Sequence, residues 1–298
     1  MEGPLNMSYF RILGLDKEPF STSPDPEFFY LSREHERALT NVLIELRLKR
    51  GLSLVLGDVG TGKTTLSRKL VQDLKNREDC LFHIQLDPTF EDKNFFMYSL
   101  VRNFGILSES SQMIPSMTVM REMLERFLFQ KGVVEQKTVV LIIDEAQKLD
   151  ANALEVLRLL LNYETNQFKL LQLVLLGQIE LMPMVKSIPN FYDRISFKTI
   201  LNPLDYDEMK EMIYFRLAQA GYTSRADLFL EDGLWEIYQH TKGYPRQVTM
   251  ICHRALKEMI LKNRFVVDKA MIDEIVHEEA RAGWRTNETS LQKSSFLG

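Results

Sequence analysis

Two cysteines, two tryptophans, no apolar run long enough to cross a membrane and no surplus of basic charge: the 298-residue chain is poor in all of these. Each absence removes a class of protein. Cys80 and Cys252 lie far apart in apolar surroundings, without the close spacing of metal ligands. Neither a disulfide framework nor a zinc site is expected, and both read as buried, reduced thiols of a cytoplasmic protein. The most apolar stretches, "TVVLIID" and "LLQLVLLG", fall short of the roughly 18 residues that suggest a spanning helix. The amino terminus lacks the basic start and apolar core of a secretory leader. With 37 Lys and Arg against 41 Asp and Glu, the net charge is −4. That balance does not favour a dedicated binder of the phosphate backbone, although a local basic face would leave room for DNA.

What is present is an ordinary globular composition, 45% hydrophobic and 26% charged, enough for a sizeable core. The length predicts a main domain with a smaller one. Residues 1–22 read as irregular, and "STSPDPEFFYLS" as a loop ending in the aromatic cluster Phe28, Phe29 and Tyr30. "REHERALTNVLIELRLKRG" carries Leu39, Val42, Leu43 and Leu46 at helical spacing and stops at Gly51. Short apolar runs at 52–56, 81–86, 138–143, 170–177 and 195–202 then alternate with helical patterns. Continuous apolar strands separated by helices indicate an α/β fold with a parallel sheet covered on both faces. Beyond "LNPLD" the strand signals end and the pattern becomes helical. The expected organisation is an N-terminal segment (1–50), a nucleotide-binding core (51–204), a small all-α lid (205–282) and a flexible tail (283–298).

"GDVGTGKTT" supplies the chemistry. Gly57, Gly62, Lys63 and Thr64 match G-x-x-x-x-G-K-[ST] between an apolar strand and a helical segment. Cradling phosphates requires backbone N–H groups turned inward, and glycine allows both the angles and the close approach. The loop Gly57, Asp58, Val59, Gly60, Thr61, Gly62, Lys63, Thr64 and Thr65 is therefore expected to bind ATP, with Lys63 on the β- and γ-phosphates and the Thr64 hydroxyl on Mg²⁺. "VVLIIDEAQ" carries Asp144 and Glu145 to the carboxyl end of another strand, where ligands bind in such sheets. Asp144 suits the Mg²⁺ sphere, and Glu145 is placed to polarise an attacking water. The blander reading makes the two acids a helix-start pair. A complete strand between the two motifs favours hydrolysis over mere binding.

On these residues the chain resembles the AAA+ superfamily, and within it the ExeA (GspA) family of secretion-associated ATPases. "YFRILGLDKEPFSTSPDPEFFYLSREHERAL", "GDVGTGKTTL", "LIIDEAQKL", "LLNYETNQFKLLQLVLLGQIEL" and "GYPRQV" carry the likeness from about residue 9 to 282. The TnsC and TniB transposition regulators belong to the same broad group. The resemblance implies three further roles. Gln178 stands where the family has its first sensor, which orients water near the γ-phosphate; otherwise it is a polar residue at a helix start. Arg246 stands where the second sensor contacts phosphates, the alternative being a solvated surface arginine. Arg194, in "NFYDRISF", stands where an arginine finger enters the neighbouring subunit's site, and a planar, permanently charged guanidinium suits that task. The alternative is a rim arginine paired with Asp193 or another acid. The aromatic loop is expected to pack on the adenine and ribose side, with Phe29, Tyr30 and His35 as candidates. Trp235 and Tyr238, at helical spacing, read as lid core.

The expected activity is Mg²⁺-dependent ATP hydrolysis by a protein that self-associates into a ring or filament and remodels or assembles a protein partner complex in secretion, pilus or surface-polymer export. The alternative is a TnsC-like filament on DNA, for which Lys93, Arg102, Arg121 and Arg126 would supply a basic face. ExeA proteins continue past the lid into a membrane segment and a wall-binding region. No such segment is read in these 298 residues, so the expected location is cytoplasmic, or peripheral at the inner membrane through a partner.

Overall fold

Five apolar runs form five strands: β1 (Leu52–Gly57), β2 (Cys80–Gln85), β3 (Thr138–Ile143), β4 (Leu171–Gly177) and β5 (Ile195–Leu201). In this computed structural model, which describes residues 9–23, 25–107, 113–224 and 226–281, they make one all-parallel sheet in the order β2-β3-β4-β1-β5. The three inner strands β3, β4 and β1 are buried along their whole length, which is why they read as unbroken apolar segments. The edge strand β5 alternates instead between half-buried and exposed positions.

Chain order gives helices α1 (Tyr9–Ile12), α2 (Arg33–Arg47), α3 (Lys63–Lys75), α4 (Lys93–Asn103), α5 (Met117–Phe129), α6 (Ala151–Leu160), α7 (Leu181–Lys186) and α8 (Pro189–Tyr192). They are followed by α9 (Tyr206–Gln219), α10 (Glu231–Thr241), α11 (Pro245–Leu261) and α12 (Lys269–Arg281). The chain divides into a sheet unit and a helical unit, with the division between Asn202 and Pro203.

In the sheet unit, successive side chains of a strand point to opposite faces, and two cores result. Leu52, Leu54 and Leu56 of β1 join Leu141 and Ile143 of β3 under α4, α5 and α6, with Phe96, Leu100, Leu124 and Leu157 buried among them. Val55, Val140, Ile142 and Val174 face the other way, against Ala38, Val42 and Leu46 of α2 and Leu66, Leu70 and Leu74 of α3. Each fully buried Leu or Val contributes about 1.5–3 kcal/mol of transfer free energy, so the helices carrying the phosphate site are held by their apolar faces. Helix starts are set locally: Ser32, Asp92, Ser116 and Asp150 accept backbone N–H groups at the heads of α2, α4, α5 and α6.

The helical unit includes the start of the chain. Residues 9–23, read from sequence as irregular, contain the short α1 and then turns and bends, with two carbonyls bound by Arg216. Its Nε donates to Pro19 O at 2.8 Å and its Nη2 to Ser21 O at 2.8 Å. Phe20, 1% exposed, packs edge-on against Phe229. The first 50 residues are thus not one segment: residues 9–23 belong to the helical unit and 25–50 to the sheet unit. A reciprocal capping box between Asp205 and Glu208 starts α9. Trp235 departs from its expected place in the core, because its ring is 50% exposed beside Tyr206 and Tyr238. Cys252 is buried, whereas Cys80, at the start of β2, is only half-buried. The expected tail falls outside the described residues.

Candidate active site

The phosphate loop follows β1 and opens α3. Gly60 and Gly62 hold φ of +86° and +97°, angles that only glycine adopts at little cost. A Cβ on Gly62 would also lie 3.0 Å from the His35 ring. Gly57 is closed in differently, since a Cβ there would stand 2.7 Å from Thr61 Oγ1 and 2.9 Å from Leu201 O. Gly62 provides no side-chain cap for α3, which leaves the first amides of the helix directed at the loop, the arrangement that suits an anion. Asp58 and Val59 are exposed, Thr61 is buried, and Thr64 and Thr65 are half-buried on the first turn.

Lys63 is 6% exposed, and its Nζ donates to Gly57 O at 2.9 Å and Asp58 O at 2.8 Å. Burial pulls its pKa down, while Glu145, Asp144, Asp58 and Glu180 oppose that shift. The ammonium therefore lies inside the loop with acids around it. Asp144, 1% exposed at the end of β3, accepts Ser67 Oγ–H at 3.0 Å and the Glu145 N–H at 2.9 Å. Burial pushes its carboxyl pKa up, and the hydrogen bonds from Glu145, Ser67 and Thr64 pull it back. The Thr64 hydroxyl and the Asp144 carboxylate are the hard oxygen donors that Mg²⁺ takes, and these residues fit that ion. Glu145 precedes the single helical turn Ala146–Lys148 without capping it through its side chain, and α6 is capped by Asp150. Glu145 sits at φ +53°, and its Oε2 accepts Gln147 Nε2 at 2.6 Å.

Gln178 follows β4, whose last residue Gly177 is in register with Leu56 of β1. It is half-buried, and its N–H donates to Gln147 Oε1 at 3.0 Å. Lys63, Thr64, Asp144, Glu145 and Gln178 thus meet at the carboxyl edge of the sheet. Arg194 does not join them. It precedes β5, whose first residue Ile195 pairs with Leu52 at the beginning of β1, so the length of β1 separates it from the phosphate loop, roughly 20 Å for six residues. Arg194 is half-buried, its Nε donates to Asn190 O at 2.9 Å, and it makes no ion pair among the described residues. Arg246, at the second position of α11, is exposed in the helical unit.

Two neighbours of the site, Ser67 and Gln147, were not assigned a role from sequence, and a third, His35, was expected only as a candidate contact on the adenine side. Ser67, one turn after Thr64, holds Asp144. Gln147 was visible in "DEAQ" without a task. His35 is 1% exposed, and its Nε2 lies 2.8 Å from Thr61 O while Nδ1 lies 2.7 Å from Ser32 Oγ. It braces the loop from α2, with Phe29 edge-on to its ring.

Comparison with known proteins agrees with this geometry. The family model described as AAA domain matches residues 46–185. General secretion pathway protein A of Aeromonas hydrophila is 33% identical over 250 residues, covering 83% of this chain and 44% of that protein. The chain therefore spans less than half the length of this curated relative. Among solved structures, the ORC2 protein of Aeropyrum pernix in its ADPNP–ADP complexes has a TM-score of 0.62 at 17% identity, covering 88% of this chain and 72% of that one. Drosophila ORC bound to DNA has a TM-score of 0.65 at 16% identity, covering 97% and 71%. The RuvB branch migration motor of Thermotoga maritima has a TM-score of 0.54 at 15% identity, covering 82% and 68%. These three likenesses speak to the fold alone. With a parallel sheet, a glycine loop and an acid pair converging on one edge, the chain carries an AAA domain on an AAA+ α/β core and is related to general secretion pathway protein A.

Proposed function

We propose that this protein binds ATP with Mg²⁺ and hydrolyses it, in an assembly where each copy supplies Arg194 to its neighbour's site. The observation that carries the reading is the buried Lys63 facing Asp144 and Glu145 at the head of α3. Backbone amides of residues 58–62 and the Lys63 ammonium would hold the phosphates. Glu145 would take a proton from a water as its oxygen attacks the γ-phosphorus and the bond to the β–γ bridging oxygen breaks, giving ADP and phosphate. Thr64 and Asp144 would hold Mg²⁺, which neutralises charge on the β- and γ-oxygens. Gln178 would orient the water. Arg246 would answer to the nucleotide from the helical unit. Arg194 would reach phosphate only in another copy, because its own loop lies at the far end of β1.

The product of this cycle is a remodelled or newly assembled partner complex. The name of the Aeromonas relative points to secretion or a kindred export process, and such a partner would bring the protein to the inner membrane from the cytoplasmic side. No helix among the described residues is long and apolar enough to cross a membrane. The test is phosphate release by wild type against Glu145→Gln. Loss of about 10²-fold or more with retained ATP binding is expected for removal of a general base, and equal rates would overturn the assignment. Duplex DNA added with ATP at two salt concentrations should leave the protein unbound. Tight binding that weakens steeply with salt would replace the protein partner with DNA.

A further inference from the structure

Gln147 lies in the single helical turn after Glu145, and its side-chain amide has two partners. Nε2 donates to Glu145 Oε2 at 2.6 Å, and Oε1 accepts the backbone N–H of Gln178 at 3.0 Å. The second bond fixes the sense of the first. A backbone N–H can only donate, so the amide oxygen must face β4 and the NH₂ must face the carboxylate. Flipping the amide would oppose donor to donor and oxygen to carboxylate.

Two further features serve this bridge. Glu145 holds a left-handed backbone, φ +53°, a conformation disfavoured for a non-glycine residue, and its carboxylate meets Gln147 from there. Gly177 ends β4 without a side chain, where a Cβ would stand 3.0 Å from Leu181 Cδ2, 3.3 Å from Gln147 N and 3.4 Å from its Oε1. The absence of a side chain thus leaves the turn that carries Gln147 close against the end of β4.

We propose that Gln147 is a positioning residue for hydrolysis, fixing the Glu145 carboxylate to the end of β4 so that the base and Gln178 move as one unit. The inference rests on Glu145 being the general base. Misplacing a reacting group by about 1 Å can cost roughly 10²-fold in rate, and a carboxylate on a freely turning side chain is displaced by at least that. ATP binding does not run through this bridge, because the Lys63 ammonium is held by Gly57 O and Asp58 O instead.

The decisive variant is Gln147→Glu. It keeps an oxygen for the Gln178 N–H but replaces the donor facing Glu145 with a second acceptor, so the anchor survives and the positioning bond does not. Gln147→Glu and Gln147→Ala should both lower kcat by about 10–100-fold, with the Kd for ATPγS unchanged within about twofold and with wild-type melting in the presence of nucleotide. A Gln147→Glu protein with wild-type kcat, beside an inactive Glu145→Gln, would overturn the proposal and leave the base assignment standing. A faster Gln147→Ala would equally overturn it, by making the amide a restraint. Wild-type turnover in Glu145→Gln would instead remove the reading on which the proposal rests.

Discussion

If Arg194 serves the next copy, two inactive variants should restore each other. Arg194→Ala leaves the phosphate loop untouched, since roughly 20 Å of β1 separates the two. The side chain gives up one bond, Nε to Asn190 O, worth about 0.5–1.5 kcal/mol, so the fold and ATP binding should persist. A finger supplied in trans accelerates hydrolysis by ~10³–10⁵, which is about 4–7 kcal/mol of barrier at 1.36 kcal/mol per decade. Lys63→Ala abolishes the site of its own copy but keeps Arg194. In a random one-to-one mixture, a competent site needs an Arg194→Ala owner beside a Lys63→Ala neighbour. In a head-to-tail assembly with one finger per site, about a quarter of the sites meet that condition. Phosphate release from the mixture should therefore recover to about a quarter of the wild-type rate per protomer, from two preparations that are each near zero. Differently tagged variants that co-purify with ATP yet show no recovery would refute the trans assignment. So would an Arg194→Ala protein that turns over normally.

Asp144 and His35 allow two further tests. Burial holds the Asp144 carboxyl above its ordinary pKa, so the folded protein takes up this proton more readily than the unfolded chain. That contribution to stability is fully present below the unfolded value, about pH 4, and is lost as pH rises through the elevated folded value. The nucleotide-free Asp144→Asn protein should therefore melt higher than wild type at neutral pH, with no such advantage near pH 4, and Mg²⁺ with ADP should stabilise it less. A lower neutral-pH melting temperature would contradict the account. His35→Ala removes the ring from Thr61 O, leaving a buried carbonyl without that partner at about 1–3 kcal/mol. Both the melting temperature and ATP affinity should fall, and His35→Ala with wild-type values for both would show that the brace is dispensable.

β1, β3 and β4 were legible because they are buried along their whole length, and the less buried edge strands β2 and β5 because short apolar runs mark them between helical patterns. β3 falls on 138–143 as its apolar run does, and β1, β2, β4 and β5 begin and end within one residue of theirs. The phosphate loop was legible because glycine is required at φ +86° and +97°. What the chain did not disclose is contact between distant residues. His35 and Thr61, Ser67 and Asp144, Gln147 and Gln178 each meet across a helix–loop or strand–strand junction that no local period encodes. The attachment of the largely irregular residues 9–23 to the helical unit was hidden for the same reason, since it comes from Arg216 and Phe229 far downstream. Trp235 had the spacing of a buried residue, but α10 turns that position outward beside Tyr206. Periodicity alone does not distinguish an aromatic platform from a core.

The strand order also dictates a schedule. β1 is made first, yet its hydrogen-bonding partners are the last two strands of the sheet: Leu52 pairs with Leu173 on one side and Ile195 on the other. While the ribosome is still adding residues beyond Ile143, β2 and β3 can already pair with each other, whereas β1 has two open edges and nothing to bind. An apolar strand with both edges open is a target for wrong partners, and pairings this distant in sequence form slowly. The phosphate loop at its end can take shape only when β4 and β5 close around β1, so the capacity to hold a nucleotide arrives with the completed sheet, and a nascent chain that stalls earlier exposes its catalytic strand to aggregation.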